Sequence, residues 1–133
     1  MGWYDKISLM KKATNQVHSC QAIVVSCMDF RLSDHLTLWM LKNCPGGFDR
    51  VAIAGSVKNL PFVLEQVELS KKLHHTKEVY LINHEDCGAY GADGTPERHK
   101  KDLAFAKRII SEKFPDMKVK TLYLTLAGEF TEV

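Results

Sequence analysis

Apolar and polar positions alternate along the chain in a pattern that predicts alternating strands and helices. Ala22 to Ser26 (AIVVS), Arg50 to Ala54 (RVAIA), Glu78 to Asn83 (EVYLIN) and Val119 to Leu126 (VKTLYLTL) are short runs rich in β-branched and aromatic residues. The first three end in small or polar residues, as strands buried on both faces of a parallel sheet do. Between them the period lengthens. Ser33 can cap a helix reaching Asn43, closed by Pro45, Gly46 and Gly47. Pro61 suits the first turn of a second helix, from Leu60 to about His75. Leu103, Ala106, Ile110 and Phe114 place one apolar stripe on a third helix from Glu97 to Phe114, which stops before Pro115. The order β-α-β-α-β-α-β predicts an α/β fold: a mainly parallel sheet of four to five strands, flanked by helices and joined by right-handed crossovers.

The second helix is apolar on two sides. Leu60, Val63, Leu64 and Val67 share one face, and Phe62, Leu69 and Leu73 share nearly the opposite one. Both faces need a cover. The expected cover for the second is another copy of the chain, giving a homodimer; the alternative is the N-terminal segment carrying Trp3, Ile7 and Met10.

Composition narrows the function without naming it. The 133 residues suit one domain over 1–133, and 45% hydrophobic against 26% charged residues is the balance of a globular protein. A net charge of +2, with Lys and Arg dispersed, argues against nucleic acid or an anionic membrane as the main partner. No apolar run approaches the roughly 20 residues that span a bilayer, and the charged N-terminus does not read as a signal peptide. A cytoplasmic location is the expectation, and there Cys20, Cys27, Cys44 and Cys87 point to metal or catalysis before disulfides.

The segments Ser26-Cys27-Met28-Asp29-Phe30-Arg31 and His84-Glu85-Asp86-Cys87-Gly88-Ala89 each follow a predicted strand. Singly, each is ordinary: a strand-end Cys is more often a core residue, and an Asp two from an Arg is more often a solvated pair. Position changes the weighing. In an open doubly wound sheet, ligands bind beyond the carboxyl ends of the strands that flank the reversal of strand order. Strands one and three flank it if strand two lies on the far side of strand one. Cys27, His84 and Cys87 then meet in one crevice, as a two-cysteine, one-histidine zinc set with a fourth position for water. Asp29 stands within reach of that position. Arg31 can grip its carboxylate in a fork and keep it as a hydrogen-bond acceptor instead of a fourth ligand.

Cys27-x-Asp29-x-Arg31, Ala54-Gly55 after a strand, and His84-x-x-Cys87-Gly88-Ala89 resemble the β-class carbonic anhydrase family in order and spacing, over Ile23 to Gly91. The stretch Ala52-Ile53-Ala54-Gly55-Ser56 departs from the Arg-Asn and Asn that usually flank the family's Ala-Gly pair. The resemblance implies one Zn2+ per chain on Cys27, His84 and Cys87, and Asp29 and Arg31 as the catalytic dyad. It also implies dimers, and reversible hydration of carbon dioxide to bicarbonate by hydroxide generated at the metal. Gly55, Ser56 and Gly88 are expected around the substrate pocket, with Gly88 letting backbone approach the metal. His35, His74, His75 and His99 are candidate proton shuttles, each more often a plain surface histidine. Two alternatives stay open: hydrolysis of carbonyl sulfide or carbon disulfide at the same site, and a non-catalytic zinc module. A thiol redox protein is disfavoured by the lack of Cys-x-x-Cys, and a nucleotide-binding domain by the lack of a glycine-rich loop after the first strand.

Overall fold

The computed structural model describes residues 18–133. Their strands are β1 (Ala22–Ser26), β2 (Phe48–Ala52), β3 (Glu78–His84), β4 (Lys118–Leu124) and β5 (Phe130–Glu132). Their long helices are α1 (Ser33–Asn43), α2 (Leu60–His74) and α3 (Pro96–Lys113). The strand order is β2-β1-β3-β4-β5. The first four strands are mutually parallel, and β5 returns antiparallel to β4. The order therefore reverses at β1 and β3, as the crevice argument requires.

Side-chain alternation splits the central strands between two cores. Ala22 and Val24 of β1 and Tyr80 and Ile82 of β3 pack with Leu36 and Met40 of α1. Ile23, Val25, Val79 and Leu81 face the other way, against Val63 and Val67 of α2 and Leu103, Ala106 and Ile110 of α3. Successive strand residues point to opposite faces, so a strand covered on both must be apolar throughout. All five residues of β1 are buried.

Several details differ from the sequence reading; the third strand also takes in His84, and the third helix is shifted by one residue to Pro96–Lys113. The second strand runs from Phe48 to Ala52 instead of 50–54, because its register with β1 ends at Ser26↔Ala52 and the chain then turns at Gly55, whose φ is 80°. The fourth ends at Leu124, because Thr125 to Gly128 turn the chain into the three-residue β5. Ser33 does not cap α1. A 3-10 turn over Phe30–Leu32 runs directly into the helix, leaving Leu32 at the cap position with no side-chain hydrogen bond. Pro61 occupies the first turn of α2 as expected, and Pro96 holds the same place in α3.

On α2, Val63 and Val67 are buried and Leu60 and Leu64 pack against the same core. The second face is exposed: Phe62 by 37%, Leu69 by 40% and Leu73 by 54%. Trp3, Ile7 and Met10, the alternative cover, lie outside the described residues. No helix among the described residues is long and apolar enough to cross a membrane.

Candidate metal centre and active site

The carboxyl ends of β1 and β3 bring Cys27, His84 and Cys87 together, all buried, with their ligand atoms within 4.8 Å of one another. Cys27 follows the last residue of β1, and His84 is the last residue of β3. The loop after β3 turns back through Asp86, whose φ of 56° is left-handed, and so returns Cys87 to the strand end. Asp tolerates that conformation better than most residues. The Sγ atoms of Cys27 and Cys87 are 3.9 Å apart. A disulfide needs about 2.05 Å. A tetrahedral zinc with Zn–S bonds of about 2.3 Å places two sulfurs ~3.8 Å apart.

His84 is set up to give one nitrogen away. Its Nδ1 lies 2.7 Å from the carbonyl of Glu85, so the proton sits on Nδ1. Nε2 is buried and has no hydrogen-bond partner among the described residues. Buried polar atoms are nearly always partnered, and an imidazole fixed at Nδ1 with a bare Nε2 is the form metal ligands take. These donors fit a zinc ion.

The charges agree. Burial raises the Cys27 thiol, but the His84 side chain and the N–H groups of Gly55 and Asp29 outweigh it and bring its pKa down to about 7. The Gly55 N–H donates to Cys27 Sγ at 3.4 Å. Burial pushes Cys87 up, and a thiolate at Cys27 adds to that. Two thiolates at this spacing call for a cation between them.

Asp29 and Arg31 form the fork expected of them. Arg31 Nη2 donates to Asp29 Oδ2 at 2.6 Å, and Nε lies 3.1 Å from both oxygens. The Arg31 backbone N–H donates to Oδ1 at 2.9 Å, which also caps the 3-10 turn. The Arg31 hydrogen bonds hold the Asp29 carboxyl at about 2, well below the ordinary 3.8. Its Oδ2 remains 4.0 Å from His84 Nε2. The carboxylate thus faces the bare nitrogen and is held back from it.

Cys27, Asp29, Arg31, Ala54, Asp86 and Gly88 line a cleft of ≈ 770 Å³, together with exposed Met28 and Phe30. Of the expected pocket residues, Gly88 lines it, with no protein atom within 4 Å of where a Cβ would stand. Gly55 contributes its N–H to Cys27. Ser56 is wholly buried behind Gly55 and does not line the cleft, because the chain enters a 3-10 turn there and draws the side chain inward.

None of the four candidate shuttle histidines lines the cleft, and three of them are at least half-buried. His99 is fully buried, and His35 and His74 are half-buried, His74 with Nδ1 2.6 Å from Asp49. His35 meets the Leu126 carbonyl, and His75 is exposed at the end of α2.

The sequence reading missed Asp86, which clamps the far side of Arg31: Nη1 donates to its Oδ2 and Nη2 to its carbonyl, both at 3.0 Å. It also missed a buried polar cluster beneath β3. Asn83 donates to the Tyr90 hydroxyl and lies 2.8 Å from His99 Nδ1, while Tyr90 donates to Asp102 at 2.8 Å. Asp86 sits inside the His-x-x-Cys motif and was legible as a polar loop residue; the cluster carried no motif.

A family model described as "Putative carbonic anhydrase" matches residues 17–133. The chain belongs to that family. Solved structures add the fold. The carbonic anhydrase of Streptococcus mutans is 19% identical with a TM-score of 0.58, over 100% of this chain and 98% of that one. The Coccomyxa β-carbonic anhydrase is 14% identical with a TM-score of 0.62, over 98% and 81%. The low identities mark this carbonic anhydrase-like chain as a divergent member. An uncharacterized protein of Rickettsia bellii is 27% identical over 96% of the chain and 90% of its own length.

Proposed function

We propose that the protein is a zinc-dependent carbonic anhydrase that reversibly hydrates carbon dioxide to bicarbonate. Cys27, His84 and Cys87 would hold one zinc ion per chain, and Asp29 and Arg31 would form the catalytic dyad. The observation that carries this reading is the orphaned Nε2 of His84, buried between two thiols and faced at 4.0 Å by a carboxylate that an arginine already grips. A purely structural site needs neither Asp29 nor Arg31.

Zinc at this site would lower the pKa of its bound water from about 16 to near 7, supplying hydroxide at neutral pH. The protein's part is orientation. The Glu85 carbonyl fixes the His84 ring, and the Gly55 N–H steadies the Cys27 thiolate. Asp29, ionised at any working pH, would accept a hydrogen bond from a hydroxyl group at the fourth position and orient it toward the cleft. Arg31 keeps that carboxylate from closing the site, and Asp86 keeps Arg31 in place. Carbon dioxide carries no charge, so the cleft needs no strong field to hold it.

The chain would work as one domain and as a homodimer, with the exposed face of α2, or Met28 and Phe30 at the cleft mouth, as the surface that pairing covers. The site needs reduced thiols, which favours the cytoplasm. The test is Asp29→Ala. It should keep its zinc and lose nearly all hydration activity; full activity would remove Asp29 from the mechanism.

A further inference from the structure

At the other end of β1 lies a second group of metal-ligating side chains, which the proposed carbonic anhydrase chemistry does not use. Cys20 precedes β1, Asp49 is in β2 and His74 ends α2, and their ligand atoms also lie within 4.8 Å of one another. Cys20 stands seven positions before Cys27. At ~3.3 Å per residue the two groups stand roughly 20 Å apart.

We propose that Cys20, Asp49 and His74 form a second metal site, for a divalent borderline-soft ion of the zinc type. Thiolate, carboxylate and imidazole together carry two negative charges, which neutralise a divalent ion, and each is a ligand zinc accepts. The surroundings orient them. Asp49 Oδ2 accepts from Ser70 Oγ at 2.7 Å and lies 2.6 Å from His74 Nδ1. Cys20 Sγ lies 3.2 Å from Thr76 Oγ1, which is itself 2.6 Å from Ser70 Oγ. Ser70 and Thr76 are buried, so their hydroxyls form a fixed outer ring that aims the thiol and the carboxylate at one point.

The ion would take the place of the proton shared by His74 Nδ1 and Asp49 Oδ2, which would pass to solvent or to Nε2, leaving a neutral ring protonated at Nε2. Those atoms would open from 2.6 Å to the ~3.3 Å that separates two ligands bound tetrahedrally at about 2.0 Å. The Cys20 thiol would release its proton to solvent as the metal–sulfur bond forms. Both flanks are open to an entering ion: Asp49 and His74 line a surface cavity of ≈ 260 Å³, and Cys20 lines another of ≈ 570 Å³. The His18 ring stands edge-on to His74 with centroids 4.5 Å apart, placing another imidazole beside the group.

The probe is cobalt(II), titrated into the full-length protein after its metals are removed by chelation under reducing conditions. The wild type should bind two equivalents. Cys20→Ser and Asp49→Asn, both close in shape to the native residues, should each bind one, and Cys20→Ser should also lose one thiolate-to-cobalt contribution from the near-ultraviolet absorption. Ser70→Ala should weaken the second equivalent by about 10–100-fold. A protein with Cys27 and Cys87 both changed to Ser separates the two sites: it should still bind one equivalent, lost on adding Cys20→Ser. One equivalent in the wild type, insensitive to Cys20→Ser, would overturn the proposal and leave these residues as a hydrogen-bonded network only. Two equivalents unaffected by Cys20→Ser and Asp49→Asn would overturn it as well.

Discussion

Replacing Arg31 with Ala isolates the idea that the carboxylate beside the metal must be held back. The substitution removes the Nε and Nη2 hydrogen bonds to Asp29 and leaves only the backbone N–H at 2.9 Å. A hydrogen bond to a charged group contributes about 1.5–3 kcal/mol when sheltered from water. The Arg31 side chain is 37% exposed, so solvent screens the pair and what Arg31 supplies is mainly the geometry of a two-pronged grip. Without that grip, Asp29 has only a short swing from its present 4.0 Å toward His84 Nε2 before it can occupy the position proposed for water. Loss of a group that orients a metal site from outside costs about 10–100-fold, and kcat/KM for carbon dioxide hydration should fall by about that factor. Zinc content should not change, because no ligand is altered. Stopped-flow hydration assays on protein matched for zinc would measure the first, and the visible spectrum of the cobalt-substituted variant would show the added carboxylate ligand. A variant that hydrates carbon dioxide at the wild-type rate, with an unchanged cobalt spectrum, would refute the holding role.

Asp86→Gly removes an exposed carboxylate from Arg31 but relieves the left-handed backbone at φ 56°, so activity should drop less than in Arg31→Ala while the melting temperature holds or rises. Leu103→Ala, at a fully buried position between α3 and the sheet, should cost about 2–5 kcal/mol by urea unfolding without altering the metal site. Burial holds the His99 imidazole below its ordinary 6.5. The unfolded chain therefore takes up a proton below about pH 6.5 that the folded chain refuses, and stability should fall as the pH drops below that value. His99→Asn offers Asn83 an acceptor but cannot titrate, so its urea midpoint should change less between pH 6.5 and 5; an identical slope would remove His99 from the account. Phe30→Glu, at a side chain 83% exposed beside the cleft, should shift a dimer toward monomer in sedimentation if that surface pairs.

The central strands were legible because burial on both faces leaves them little composition to vary: AIVVS and EVYLIN read as strands from either side. The convergence of Cys27, His84 and Cys87 was legible for a different reason. Cys27 and His84 each stand where an unbroken apolar run stops, and strand ends at a reversal of order are forced into one crevice. Legibility failed where structure depends on a few backbone hydrogen bonds. The Phe30–Leu32 turn that displaced Ser33 from its capping role is held by the Asp29 carboxylate, and the three-residue β5 is too short to show a period. The histidines were misjudged because His99 is buried by partners distant in sequence, Asn83 and Tyr90, that no local pattern announces. Ser56 was misplaced for a similar reason, since one turn decides whether a side chain faces the cleft or the core.

The most direct test of the account is zinc content and hydration activity measured together on wild type, Cys27→Ser and His84→Ala. The account predicts rapid carbon dioxide hydration in the zinc-loaded wild type, and joint loss of activity and of one zinc equivalent in each variant. Zinc content and activity that survive in both variants would contradict it.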